Sequence, residues 1–380
     1  MCAISMQPAT SENESPSLSC PPEAPAEPAS GLLRALADDG ALDGGEPAFR
    51  QAANMAVAAY RAMVRLRLLS ARMVELQRSE KIAFHASSIG EEAVIVASAL
   101  GVRADDWLFP GVREWGAAVV RGLPIAAYVH HAFGTALDPA KGHSPPDHPP
   151  ARRFNVAPAS GVVGAHAPQA VGAAWSAKVR KDRVATLAIF GDGATSTGDF
   201  HNAMNFAGVL KAPCVLVCRN NGHAVSTPQA RQTKTETFAE KAVAYGVASA
   251  RVDGSDVLAV LAVVRAAIAR ADEGKGPTLV EAVTTPASGA ALEGADLLAL
   301  GPNDPIVRLR RFLDREGALD AASAEAIVRE ARAEIDTAVA EAEAAEKPAK
   351  RTIFEDVYAD VPAHLVEQQR TLAYAEGGRS

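Results

Sequence analysis

Cysteine is scarce. Four occur in 380 residues, Cys2, Cys20, Cys214 and Cys218, and no pair has the CxxC spacing of a redox couple or a structural zinc site. Cys214 and Cys218 end the run CVLVC and read as small apolar side chains on one face of a buried strand. A reduced, cytoplasmic chain is the expectation. Positive charge is also short. Lys and Arg number 38 against 45 Asp and Glu, for a formal net charge of −7, and no basic run offsets it. That excludes non-specific nucleic-acid binding, whose affinity comes from cations neutralising phosphates. No stretch reaches the ~18 consecutive apolar residues of a membrane-spanning helix. Residues 1–30 lack hydrophobic periodicity and are rich in Pro, Ser, Glu and Ala, so they are expected to be disordered. This tail has no apolar h-region, and it carries Glu12, Glu14, Glu23 and Glu27 with no arginine before Arg34. Neither a secretory signal nor a transit peptide is expected. No internal repeat is visible.

What remains is an ordinary soluble composition, 48% hydrophobic and 22% charged, on a chain long enough for one large domain or two smaller ones. From Gln51 to Arg78, apolar residues recur at three- and four-residue spacing and predict a long amphipathic helix. A loop rich in Gly and Pro, KGHSPPDHPPARRF, follows at residues 141–154 and holds Lys141, His143 and His148. Beyond it the pattern is regular. A helix APQAVGAAWSAKVRK, with Val171, Trp175 and Val179 on one face, precedes the strand VATLAIF and the helix DFHNAMNFAGVLK. The strand APCVLVCR, the helix SDVLAVLAVVRAAIARA and the strand PTLVEAV come next. Such alternation predicts an α/β fold, a parallel sheet with helices on both faces and right-handed crossovers. Ala321 to Lys350 reads as a charged, alanine-rich helix ending at a proline. The expected organisation is a disordered tail (1–30), an N-terminal helical extension (31–80), an α/β domain (81–320) and a C-terminal helical tail (321–380).

Ligands of parallel sheets sit at the carboxyl ends of strands. Two segments fall there, IFGDGATSTGDF and CRNNGHAVS. A right-handed βαβ unit brings Asp192 close to Asn220 and Asn221, all of them hard oxygen ligands of the kind magnesium takes together with phosphates and water. Gly191 and Gly193 would let a diphosphate approach the backbone, and a helix beginning near Thr197 would offer free N–H groups. A dinucleotide GxGxxG would need glycine where Ser196 stands, and no GK[ST] marks a P-loop. The expectation is a metal–diphosphate clamp.

With these residues in place the chain resembles the thiamine diphosphate enzymes, in which GDG is followed by NN. More closely, it is similar to the alpha subunit of the E1 component of 2-oxo acid dehydrogenase complexes, of branched-chain or pyruvate type. The similarity runs from Leu32 to Leu313 and includes FHASSIGEEAVIVASAL, RVDGSDVLAV and IVRLRRFL. It implies a thiamine-diphosphate-binding fold with thiamine diphosphate and Mg2+ as cofactors. Asp192 and Asn221 would be side-chain ligands of the metal and His223 a carbonyl ligand, with Gly191, Gly193 and Ala194 along the cofactor. Arg113, in FPGVREWG, and Arg219 would take the phosphates, which guanidinium groups suit by donating paired hydrogen bonds. Gly161 and Val163, in ASGVVGAHAPQAVGAA, would lie against the aminopyrimidine. His148 alone reads as a solvated loop residue; the resemblance makes it a catalytic histidine. His166 and His201 have no such support and read as surface or core residues.

The resemblance further implies oxidative decarboxylation of a small 2-oxo acid, with acyl transfer to the lipoyl arm of an E2 acyltransferase. A beta subunit, in an α2β2 assembly, would bring the glutamate that activates the aminopyrimidine. Two departures stand out. Val112 replaces the tyrosine usual before the phosphate-binding arginine, and the loop at about 285–304 is short and lacks histidine, arginine and aromatics. They motivate an alternative, a non-catalytic or regulatory E1-alpha-like subunit that binds the beta chain. An unrelated nucleotide-binding oxidoreductase is a third reading.

Overall fold

The computed structural model describes residues 32–43, 46–285, 296–301 and 303–377. The tail expected to be disordered, with Cys2 and Cys20, and most of the shortened loop after Thr285 lie outside the described residues.

Five parallel strands form one sheet in the order β1-β2-β3-β7-β6. They are β1 Trp107–Pro110, β2 Thr186–Gly191, β3 Cys214–Asn220, β6 Ala248–Asp253 and β7 Thr278–Val283. A short antiparallel hairpin, β4 His223–Ala224 with β5 Thr227–Pro228, stands apart. Successive side chains of a strand point to opposite faces. Here Leu187, Ile189, Val215, Val217, Val252 and Val280 enter one apolar cluster, and Ala188, Phe190, Cys214, Leu216, Cys218 and Leu279 enter the other. Both faces are dry, as a sheet of parallel strands requires. Cys214 and Cys218 share a face with Leu216, and neither is in a disulfide. Burial pushes the Cys214 thiol up to about 12, which leaves it unreactive.

The first face is covered by α1 Pro47–Ala53, α2 Ala56–Arg78, α3 Glu92–Gly101, α4 Gly116–Val120 and α5 Ile125–Phe133, with α9 Val257–Asp272, α10 Pro305–Arg315 and α11 Ala321–Ala344. The single helix expected over Gln51–Arg78 is thus two helices, with Pro47 starting the first. Inside this layer Arg67 of α2 is buried and bonds Glu92 and Asp304. Asp304 also caps α10 through the Ile306 N–H. One guanidinium therefore ties three helices together. α11 lies across α2 and α5 through Ile327, Ile335 and Val339.

The second face is covered by α6 His166–Arg180, α7 Gly198–Leu210 and a 3₁₀ turn at Ala239–Tyr245. The sequence spacing put Val171, Trp175 and Val179 on one face of α6, but that face is not the one against the sheet. Only Val171 is buried; Trp175 is 46% exposed and Val179 63%. Four-residue steps drift about 40° each around a helix, so the trio rotates off the sheet, and Ala170, Ala174 and Ala177 make the contact instead. The remaining α-helices are the short α8 Gln229–Gln232 and α12 Thr352–Glu355 and the longer α13 Ala363–Gly377. No helix among the described residues is long and apolar enough to cross a membrane.

Candidate active site at the carboxyl edge of the sheet

The carboxyl ends of β1, β2, β3 and β7 lie along one edge of the sheet. β1 runs into a 3₁₀ turn, Val112–Glu114, and β2 into another, Asp192–Ser196. β3 ends at Asn220, whose carbonyl accepts the N–H of Thr284 just past β7. Strand register sets Gly191 beside Arg219.

Asp192 is buried, and its Oδ2 accepts from Gln232 Nε2 at 2.7 Å. The turn it opens intervenes before α7, whose first turn is capped by Thr197 Oγ1 accepting from Phe200 N–H. The free N–H groups expected of a helix beginning near Thr197 are thus partly used. The two glycines flanking Asp192 serve different ends. A Cβ on Gly193 would lie 2.7 Å from the Ala224 Cβ, so this glycine lets the β4 hairpin seat on the turn. A Cβ on Gly191 would lie 3.6 Å from Arg219 Nη2, an ordinary contact, so Gly191 flanks the guanidinium. Ala194 is buried in the same turn, against Gly164.

A residue that sequence reasoning did not single out organises the rest. Glu91, just before α3, is wholly buried. Its Oε1 accepts from Arg219 Nη1, from Asn221 Nδ2 at 3.3 Å and from Thr284 Oγ1 at 3.1 Å. Its Oε2 lies 3.9 Å from Arg113 Nε and has no hydrogen-bond partner. Glu91 therefore gathers Arg113, Arg219 and Asn221 around one carboxylate. The signal was in the pair of glutamates of SIGEEA just before the largely apolar run AVIVASAL. Glu92 answers Arg67, and Glu91 answers Arg219.

Arg219 is buried, with Nε donating to Glu114 Oε1 at 2.8 Å. Burial alone would lower its pKa, but the Glu91 and Glu114 carboxylates outweigh it and hold the guanidinium charged. Arg113 is half exposed and anchored by Nη1 to the Ser87 carbonyl at 2.5 Å. Val112 stands in the same turn and offers no side-chain donor. The Asn221 amide is oriented from both ends. Nδ2 faces Glu91, and Oδ1 accepts the His223 N–H at 3.1 Å. His223 is exposed at the start of β4.

His148 is buried. Its Nδ1 lies 2.6 Å from the Pro146 carbonyl, and its Nε2 has no hydrogen-bond partner. Gly161 is its neighbour, with 3.9 Å between Nε2 and the position of a Cβ there. Val163 is 61% exposed. His201 lies on the outside of α7 against the Tyr245 hydroxyl. His166 is buried, and Nε2 donates to the Ile189 carbonyl at 2.9 Å. Burial holds its pKa below the ordinary value, against the opposing pull of that carbonyl and of Glu114. The unfolded chain thus takes up a proton that the folded ring refuses. Stability is expected to fall as pH drops below about 6.5 and to be independent of this group above it. His166→Gln, which keeps a donor for Ile189, should flatten that part of a urea-midpoint-against-pH curve.

The donor set suits magnesium on a diphosphate. Asp192, the Asn221 amide and the His223 carbonyl are hard oxygens, and among the described residues no cluster of three His, Cys, Asp or Glu side chains could hold a metal alone. A cation here would need oxygens from its ligand, as magnesium on a diphosphate has. The unpaired Oε2 of Glu91 and Nε2 of His148 are the buried polar atoms that a bound cofactor and its waters would satisfy. A separate cavity of about 430 Å³ beside β1 and α6, lined by Trp107, Phe109 and Ala173, includes none of these groups.

A parallel sheet with glycine-flanked Asp192 and paired asparagines at its carboxyl edge defines a class, and comparison with known proteins gives the same one. Residues 60–289 match the family described as dehydrogenase E1 component. The chain belongs to that family, which implies thiamine diphosphate as cofactor. It is similar to "2-oxoisovalerate dehydrogenase subunit alpha 2, mitochondrial" of Arabidopsis thaliana, 34% identical over 345 residues, 88% of this chain and 73% of that protein. The mouse "2-oxoisovalerate dehydrogenase subunit alpha, mitochondrial" is 34% identical over 323 residues, 83% of this chain and 73% of its own. "Pyruvate dehydrogenase E1 component subunit alpha" of Staphylococcus aureus is 34% identical over 315 residues, 80% of this chain and 83% of its own. The chain is thus an E1 subunit of alpha type.

Proposed function

We propose that this chain is the alpha half of a thiamine-diphosphate- and Mg2+-dependent 2-oxo acid dehydrogenase. Paired with a beta subunit in an α2β2 complex, it decarboxylates a branched-chain 2-oxo acid such as 3-methyl-2-oxobutanoate, or pyruvate, and passes the acyl group to a lipoyl-bearing E2. The observation that carries this reading is the convergence of Arg113, Arg219 and Asn221 on Glu91 beside the Asp192 turn. Cations for a diphosphate and oxygens for a metal meet in one place.

When bound, thiamine diphosphate supplies the electron sink for decarboxylation. Arg113, and Arg219 through the edge beside Gly191, would hold the phosphates; Asp192, Asn221 and the His223 carbonyl would hold Mg2+. Gln232 and Glu91 keep two of those ligands in their rotamers, the part outer partners play at metal sites. In neutral His148 the Nδ1 proton goes to the Pro146 carbonyl, which leaves the lone pair on Nε2. That atom, beside Gly161, is placed to take or return a proton next to the aminopyrimidine segment. Exposed Val162, Val163 and Val225, with the outer faces of α6 (Trp175, Val179) and α7 (Phe206, Val209), form apolar surface that supports a beta partner.

The test is 2-oxo-acid-dependent reduction of an artificial electron acceptor by the chain co-purified with its beta subunit. Pyruvate and 3-methyl-2-oxobutanoate are compared, with thiamine diphosphate and Mg2+ present. Turnover that prefers one acid and stops when Mg2+ is chelated is expected. An intact complex silent on every 2-oxo acid would leave the regulatory alternative standing.

A further inference from the structure

Asp147, the residue before His148, is buried in the left-handed region at φ 57°, a conformation that costs a side chain other than glycine of order 1 kcal/mol or more unless its surroundings hold it there. The holding groups are explicit. Oδ1 accepts from the Tyr128 hydroxyl of α5 at 2.5 Å and lies 3.3 Å from His85 Nδ1. Oδ2 accepts from the Ala86 N–H at 2.5 Å. Behind them, His85 Nε2 meets Ser70 Oγ of α2 at 2.9 Å, and Trp115 stacks on Tyr128 with centroids 4.6 Å apart. The Trp115 indole N–H donates to the Ala86 carbonyl at 3.0 Å.

Ser70, His85 and Asp147 are ordered as in a hydrolase triad, but Ser70 is 0% exposed and its hydroxyl also faces the Ser88 N–H, so no substrate reaches it. The cluster is a scaffold, and both of its ends run into the site. In one direction the next residue is His148, whose position follows the Asp147 backbone. In the other, the Ala86 N–H leads to Ser87, whose carbonyl anchors Arg113.

We propose that Asp147 is a positioning residue that holds two separate parts of the site in register, Nε2 of His148 at the pyrimidine end and the Arg113 guanidinium at the phosphate end. The groups that hold Asp147 all belong to the chain, but their consequence for turnover rests on the reading of His148 given under the proposed function. Tyr128 is the second member of the device. Burial and the neighbouring Asp147 charge raise its pKa well above the ordinary value, so it remains a donor to that carboxylate.

The experiment is a pair of double-mutant cycles on the complex with the beta chain. Calorimetric titration of thiamine diphosphate with Mg2+ is run on Asp147→Gly, Arg113→Ala and the double variant. Asp147→Gly keeps the left-handed backbone accessible while it removes the carboxylate. A loss of about tenfold in affinity for Asp147→Gly is expected, the scale of removing a partner behind a ligand-holding group, with little further loss when Arg113 is already alanine. Turnover is measured on Asp147→Gly, His148→Ala and their double, with the same non-additivity expected in kcat. Should Asp147→Gly not fold, Tyr128→Phe removes one of the bonds to Asp147, and the same cycles are read on it. Strict additivity in the binding cycle, or unchanged affinity in folded Asp147→Gly, overturns the proposal. If His148→Ala turns over normally, the assignment of His148 fails, and the binding cycle alone decides on Asp147.

Discussion

Asp192→Ala is expected to stop 2-oxo acid turnover in the complex with the beta chain and to weaken thiamine diphosphate binding by upwards of ~100-fold, because changing the groups behind a metal ligand already costs about 10–100-fold. The fold should survive. Asp192 is bonded through its side chain to Gln232, whose amide also donates to the Thr227 carbonyl at 3.0 Å, so Gln232 keeps a partner. A cost of about 1 kcal/mol in stability is expected, the net value of an ordinary hydrogen bond. Calorimetric titration with Mg2+ present, beside a urea curve, separates the two effects. Unchanged cofactor affinity would show that the carboxylate serves only to hold α8.

Arg219→Met should do the opposite, with stability as the main casualty. Glu91 and Glu114 are both buried, and both bond this one guanidinium. Removing it takes from two buried carboxylates the cation that bonds them both, and breaking a buried pair in this way costs about 3–5 kcal/mol. Arg219→Lys keeps the charge but not the fork that reaches Glu91 through Nη1 and Glu114 through Nε, so an intermediate loss is expected. Adding Glu91→Gln to Arg219→Met should recover part of the deficit by removing one stranded charge. Denaturant midpoints at neutral pH for the four chains give the comparison. A loss below ~1 kcal/mol for Arg219→Met would mean that the two carboxylates find other partners.

The parts of this architecture legible in the sequence were those with a local cause. VATLAIF, CVLVC and TLVEA are apolar runs of strand length, and the alternation with helices fixed their parallel pairing. The turn chemistry of Gly-Asp-Gly and Asn-Asn marked where the strands end. What escaped was non-local. WLFP is too short to show a period, and ASARVD interleaves small and polar residues, so β1 and β6 were not read as strands. Glu91 was not singled out because its partner Arg219 lies 128 positions away. Asp147 likewise sat inside a proline-rich loop, with nothing nearby in sequence to announce Tyr128 or Ala86. Buried polar networks are written in tertiary pairings, and single-sequence periodicity does not see them.

The carboxylates set around Arg219 bear on how the subunit comes into being. A domain whose cluster of like charges must wait for an ion to neutralise it stays unfolded until that ion arrives. Here the neutralising guanidinium is Arg219 of the chain itself, so the buried carboxylates of Glu91 and Glu114 are matched without an added ion.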